Sequence, residues 1–147
     1  MVERILMACM AGLAFVAGCD TASANFKMRF VERATTDQVT VHGGKAADNV
    51  GDILTFANDV FDAANKQKLG TDQGYCVRVV VGRAFECHWT LSLVAGQITV
   101  DGPFLDAGDS SLAVTGGTGV YSGARGEMRL HARDAKGSAY DFLYELK

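Results

Sequence analysis

The strongest constraint on this chain is a period-two alternation of apolar and polar residues that recurs from Phe26 to Leu146. Phe26, Met28 and Phe30 share one face, with Lys27 and Arg29 opposite. Leu54, Phe56 and Val60 share another. Trp89, Leu91 and Leu93 alternate with His88, Thr90 and Ser92, and Ile98 and Val100 follow a turn. Met128 and Leu130 alternate with Glu127, Arg129 and His131; Tyr140, Phe142, Tyr144 and Leu146 end the series. This period belongs to half-buried strands, whose side chains point to opposite faces in turn. Turn residues at His42–Gly44, Asn65–Gly70, Gly82–Arg83 and Asp134–Gly137 separate the runs. Helical spacing is scarce, and Val60–Leu69 reads as a helical turn or a loop. A length of 147 residues suits one domain, and 48% hydrophobic residues supply a core without help from metals. Several short strands with regular turns predict a sandwich or a closed barrel. A barrel of about eight strands encloses packed side chains or one small ligand.

Residues 1–24 read as a signal segment and 25–147 as the domain. Arg4 precedes an apolar run from Ile5 to Gly18. That run is shorter than the roughly 20 residues needed to span a bilayer, but it suits a secretory signal. Two cleavage points compete. Val16–Cys19 resembles a bacterial lipoprotein box, which would acylate Cys19; Ala22–Ala24 resembles an ordinary signal-peptidase site before Asn25. The first lies directly at the end of the apolar run, which favours it. Both imply export, either to a periplasmic membrane anchor through Cys19 or by secretion. Export permits disulfides and leaves Cys76 and Cys87 in the domain. The formal net charge of -3 argues against nucleic acid as a partner. His42, His88 and His131 are far apart and no CxxC occurs, so neither a metal nor another cofactor is expected.

Asp101–Leu130 holds seven glycines, including Gly116, Gly117 and Gly119 in "VTGGTG". A dinucleotide loop of this kind needs a following helix and further βα units. Here "VYSGARGEMRL" follows, without helical period, and no phosphate-binding lysine is present. The glycines therefore serve backbone geometry, by permitting positive φ and close strand crossing.

The same stretch resembles the signature of the plant allene oxide cyclases, and its GGTG followed by ARG is similar to dirigent proteins. Gly51–Asp62, "GDILTFANDVFD", resembles the family's GDL-x-x-FTN strand. Lys68–Val77, "KLGTDQGYCV", resembles its VG-x-x-x-G-x-CV hairpin entry. The three motifs keep their order over roughly Gly51 to Leu146. The resemblance implies an all-β, eight-stranded antiparallel barrel, commonly trimeric, with an apolar ligand inside.

It also implies site residues. The family pocket carries a glutamate on the first strand, an asparagine in the FTN motif and a cysteine in the CV motif, matched here by Glu32, Asn58 and Cys76. Phe30, Phe56 and Trp89 are the expected rings of the pocket wall. Alternation independently puts Glu32 with Phe26, Met28 and Phe30, and Asn58 with Leu54, Phe56 and Val60. A polar group on an apolar face is either satisfied structurally or aimed at a ligand. The sequence departs from the family between Glu32 and His42: "RATTDQVTV" lacks the asparagine and the Ser-Pro pair that help to hold a water there. Cys76 has competing roles. With a turn at Val81 and Gly82 it faces Cys87 and can form a disulfide; otherwise it is a free pocket thiol or plain core. Three readings follow: a cyclase or isomerase that folds an unsaturated substrate, a dirigent-like or lipid-carrier module without chemistry, and a structural envelope lipoprotein. The first predicts converging polar groups in the pocket, the second an almost wholly apolar one, and the third a barrel packed solid.

Overall fold

The computed structural model describes residues 25–42 and 48–147. The expected signal segment, with Cys19, lies outside the described residues. The elements are β1 (Phe26–Arg33), β2 (Gln38–Thr40), β3 (Ile53–Phe61), β4 (Lys68–Val80), β5 (Ala84–Leu93), β6 (Gly96–Leu105), β7 (Ser110–Gly117), β8 (Gly126–Ala132) and β9 (Ala139–Leu146). A single 3₁₀ turn, Gly119–Tyr121, lies between β7 and β8. The sheet runs β1-β9-β8-β7-β6-β5-β4-β3, all neighbours antiparallel, and β3 pairs back onto β1. Eight strands thus close a barrel, which removes the exposed edges that an open sheet would present.

The apolar alternation builds the interior. Trp89 and Leu91 from β5, Ile98 and Val100 from β6, Met128 and Leu130 from β8, and Phe142, Tyr144 and Leu146 from β9 are all buried in one core. Val60–Leu69 contains no helix: β3 continues to Phe61 and β4 begins at Lys68. The turn between them is fixed locally. Asp62 Oδ1 accepts hydrogen bonds from the Lys66 and Gln67 amides, and Asn65 takes the left-handed conformation at φ 56°.

The glycine-rich stretch is structural. A Cβ at Gly117 would lie 2.6 Å from the Gln97 carbonyl, and one at Gly119, where φ is 60°, would lie 3.0 Å from Gly96 Cα. The contact between the end of β7 and the β5–β6 turn is therefore too tight for any side chain at these positions.

One irregularity positions the site. β1 and β2 both lie along the same edge of β3. Arg33 faces Asp59 and Gln38 faces Thr55, so residues 34–37 lie against residues 56–58. One residue is in excess, which makes this a β-bulge. A one-residue excess reverses which side chains face inward. Before it the even positions Phe30 and Glu32 point into the barrel and are buried; after it the odd position Asp37 lines the cavity while remaining exposed.

Candidate functional site

The barrel holds a cavity of about 120 Å³. Its wall is formed by Leu54, Phe56, Cys76, Trp89, Phe104, Leu130, Tyr140 and Phe142, with the carboxyls of Glu32 and Asp37. The rings pack in a defined order. Trp89 stacks on Phe142 with centroids 5.8 Å apart and meets Phe56 edge-on at 5.9 Å. Tyr140 meets Phe104 edge-on at 5.9 Å. Phe104, Leu130 and Tyr140 also border an open groove of about 670 Å³ that runs past Asp106, Asp109, His131 and Asp134. These three residues therefore stand between the cavity and the groove.

Glu32 is 4% exposed. Its position is fixed by Asn58, whose Nδ2 donates to Glu32 Oε1 at 2.6 Å and to Asp37 Oδ1 at 2.7 Å. Asn58 Oδ1 accepts from the Thr35 and Thr36 amides, both at 3.0 Å, and from Thr36 Oγ1 at 2.9 Å. Thr36 Oγ1 in turn accepts from the Ala57 amide at 2.8 Å. Asn58 is 1% exposed and fully satisfied, so it orients the carboxyls from behind the cavity wall. The threonines of the bulge occupy the segment where the Asn and Ser-Pro residues of the plant proteins are missing.

Asp72 stands directly across from Asn58 in the β3–β4 ladder and is completely buried. Its carboxyl faces that of Glu32, and the two interact through both charge and a shared proton, although neither Asp72 oxygen has a partner of normal hydrogen-bond geometry. Trp89 Nε1 and the Tyr144 hydroxyl are also buried; they face each other outside normal hydrogen-bond geometry. Burial pushes the Glu32 carboxyl up to about 7, against the Asn58 hydrogen bond and with help from the Asp37 charge. Burial, then the Glu32 charge, pushes Asp72 up to about 9. Burial raises the hydroxyls of Tyr140 and Tyr144 as well. The interior thus holds a carboxyl poised near neutrality, backed by a second that stays protonated. Such an arrangement can accept or return a proton, or stabilise a positive charge.

Of the residues singled out from sequence, Glu32, Phe56, Cys76 and Trp89 reach the cavity wall. Asn58 lies one layer behind it. Phe30 does not line the cavity; it is buried deeper, edge-on to Tyr144 at 6.0 Å. Cys76 faces Cys87 with Cα atoms 4.0 Å apart, and the two are joined by a disulfide, so its sulfur enters the wall bonded rather than as a free thiol. Asp37 and Asp72 were not singled out. Alternation back from Cys76 puts Asp72 on the inner face, so that residue was available in the pattern. Asp37 was hidden by the bulge, which reverses the pattern between Arg33 and Gln38.

The allene oxide cyclase family model matches residues 25–134. Among solved structures, a pyocyanin demethylase is similar at 28% identity and a TM-score of 0.64, over 81% of this chain and 100% of that one. The exo-specific intermolecular Diels-Alderase AbnU shares the fold at 16% identity and a TM-score of 0.65, over 84% of this chain and 98% of that one. A pterocarpan synthase dirigent protein shares it at 11% identity and a TM-score of 0.65, over 84% and 94% respectively. With its closed eight-stranded barrel and a family match across most of the described domain, this chain belongs to the allene oxide cyclase family.

Proposed function

We propose that this barrel is an enzyme that binds a small unsaturated molecule in the Glu32 cavity and steers its isomerisation or cyclisation. The supporting observation is the convergence of Glu32 and Asp37 on a ring-lined cavity. A carrier for apolar molecules gains nothing from a buried carboxyl such as Glu32, which costs free energy to desolvate. An enzyme gains a group whose proton affinity suits neutral pH. The rings of Phe56, Trp89 and Phe142 restrict the substrate to a reactive shape, and Glu32 then accepts a proton or faces positive charge as it develops. Asn58 keeps the carboxyl at the cavity wall throughout. The 28% identical relative bears the name of a demethylase, which supports an enzyme on this barrel without fixing the reaction.

The proposal includes export, with a chain that begins at Cys19 or Asn25, and assembly as a homotrimer. Intact-mass analysis of membrane-extracted protein and light scattering at micromolar concentration test these two points. An unprocessed Met1 or a monomer mass would remove them.

The reaction itself is tested by incubating the protein with a panel of conjugated polyenes and unsaturated epoxides. Chromatography with mass detection then reads out isomeric products. The expected result is a product whose rate falls by about 10²-fold or more in Glu32→Gln, while the melting temperature stays within a few degrees. A product rate unchanged in Glu32→Gln would overturn the assignment of Glu32.

A further inference from the structure

We infer that the cavity takes a planar organic cation, seated with its positive charge against Glu32 and its ring against Trp89. This rests on the reading of the cavity as a ligand site and names the class of molecule it accepts.

The first observation is the charge of the wall. Glu32 and Asp37 line the cavity, and its lining contains no lysine, arginine or histidine. Asp72 adds a third acid behind Glu32. None of the three forms an ion pair among the described residues. Arg78, buried against the Phe85 ring, is paired with Asp48 and Asp106. The polar interior is therefore acidic and has no internal counter-charge at contact distance.

The second observation is independent of charge. The rest of the wall is largely aromatic, and the face of an aromatic ring attracts a cation in a desolvated site. A neutral apolar ligand would use the rings and gain nothing from Glu32. An anion would be repelled by it. A cation with a flat apolar body uses both. The cavity is somewhat smaller than the roughly 150 Å³ apolar cavity that binds one benzene, so about one ring enters. The remainder extends past Phe104 and Tyr140 toward the groove, where Asp106 is paired with Arg78 and Asp109 with His131.

Binding of a cation favours the ionised form of Glu32. The groups that face Glu32 are Asp37 from the bulge, Asp72 from β4, and Tyr140 and Tyr144 from β9. Both tyrosines are shifted up and stay neutral through the neutral range, and Asp72 stays protonated below about 9. Glu32, raised to about 7, is then the group that changes between pH 6 and 8. Cation binding therefore releases a proton and tightens as pH rises across that window.

The test compares 1-methylquinolinium with 1-methylnaphthalene, which has nearly the same shape and no charge. Affinity is read from the fluorescence of Trp89, the single tryptophan of the chain. At pH 8 the cation should bind at least tenfold more tightly than the neutral probe. That preference should shrink at pH 5.5 and disappear in Glu32→Gln, which should still bind 1-methylnaphthalene. Should Glu32→Gln fail to fold, the pH dependence in the unaltered protein decides: cation affinity rises from pH 6 to 8 while neutral-probe affinity stays level. Equal affinity for both probes at every pH would overturn the cation assignment and leave the ligand cavity standing. No response of Trp89 to either probe would overturn both.

Discussion

Asn58 Nδ2 lies 2.6 Å from Glu32 Oε1, and this one hydrogen bond ties the bulge after β1 to the carboxyl of the cavity. The same amide takes up three donors from Thr35 and Thr36 and donates to Asp37. Removing it leaves the buried Glu32 carboxyl without its amide donor and frees the part-buried donors of Thr35 and Thr36 at once. Each such group costs about 1–3 kcal/mol, and water or local relaxation recovers part of the loss. Asn58→Ala should therefore lower stability by roughly 3 kcal/mol, measured by urea denaturation. A loss below about 0.5 kcal/mol would show that the bulge holds its shape without Asn58.

The barrel itself was legible in the sequence because its period-two pattern is nearly unbroken in β5, β8 and β9. The bond between Cys76 and Cys87 was legible for the same reason, since the turn at Gly82 sets their register. Glu32 and Asn58 stood out as polar residues on apolar faces. Asp37 was not legible, because alternation is blind to an inserted residue, and nothing in "ATTD" marks where the extra one lies. Phe30 was misplaced for a different reason. Alternation gives the face of a residue but not its depth along the barrel axis, and Phe30 lies below the cavity beside Tyr144.

The raised acids predict a sign for the pH dependence of stability. Glu32 moves from 4.5 in the unfolded chain to about 7, and Asp72 from 3.8 to about 9. The folded chain therefore holds protons that the unfolded chain has released. Their contribution is full below about pH 4 and is lost as pH rises through 7 for Glu32 and through 9 for Asp72. For Glu32 alone this is roughly 3 kcal/mol. Denaturation midpoints should fall from pH 5 to pH 9, and Asp72→Asn should flatten the upper part of that decline. Midpoints that rise over the same range would contradict the account.

The disulfide closes a short loop, with a sequence separation of 11. Constraint of the unfolded chain by such a loop is worth about 2–3 kcal/mol. Cys76→Ala/Cys87→Ala should lose about this amount, since both cysteines are buried, and thiol labelling of the oxidised, denatured protein should find neither residue reactive. Reaction at both Cys76 and Cys87 in the oxidised chain would reject the bond.

Gly74 sits across from Trp89 in the β4–β5 ladder. A Cβ at this position would lie 2.7 Å from Trp89 Cα and closer still to the His88 carbonyl oxygen and Trp89 Cβ. Gly74→Ala should force β5 and the indole away from their present seat, costing about 1–3 kcal/mol by overpacking and weakening probe binding in the cavity. Unchanged Trp89 fluorescence and stability would show that the two strands can separate freely there.

A ligand of this barrel should sit against Trp89 and Glu32. Chemical-shift mapping with 1-methylnaphthalene and 1-methylquinolinium locates it without any assumption about the reaction. The predicted result is a shift of the Trp89 indole N–H, with changes at the side chains of Glu32, Phe56 and Tyr140. Shifts confined to the outer groove around Asp109 and His131, with the Trp89 indole unmoved, would contradict the assignment of the cavity as the binding site.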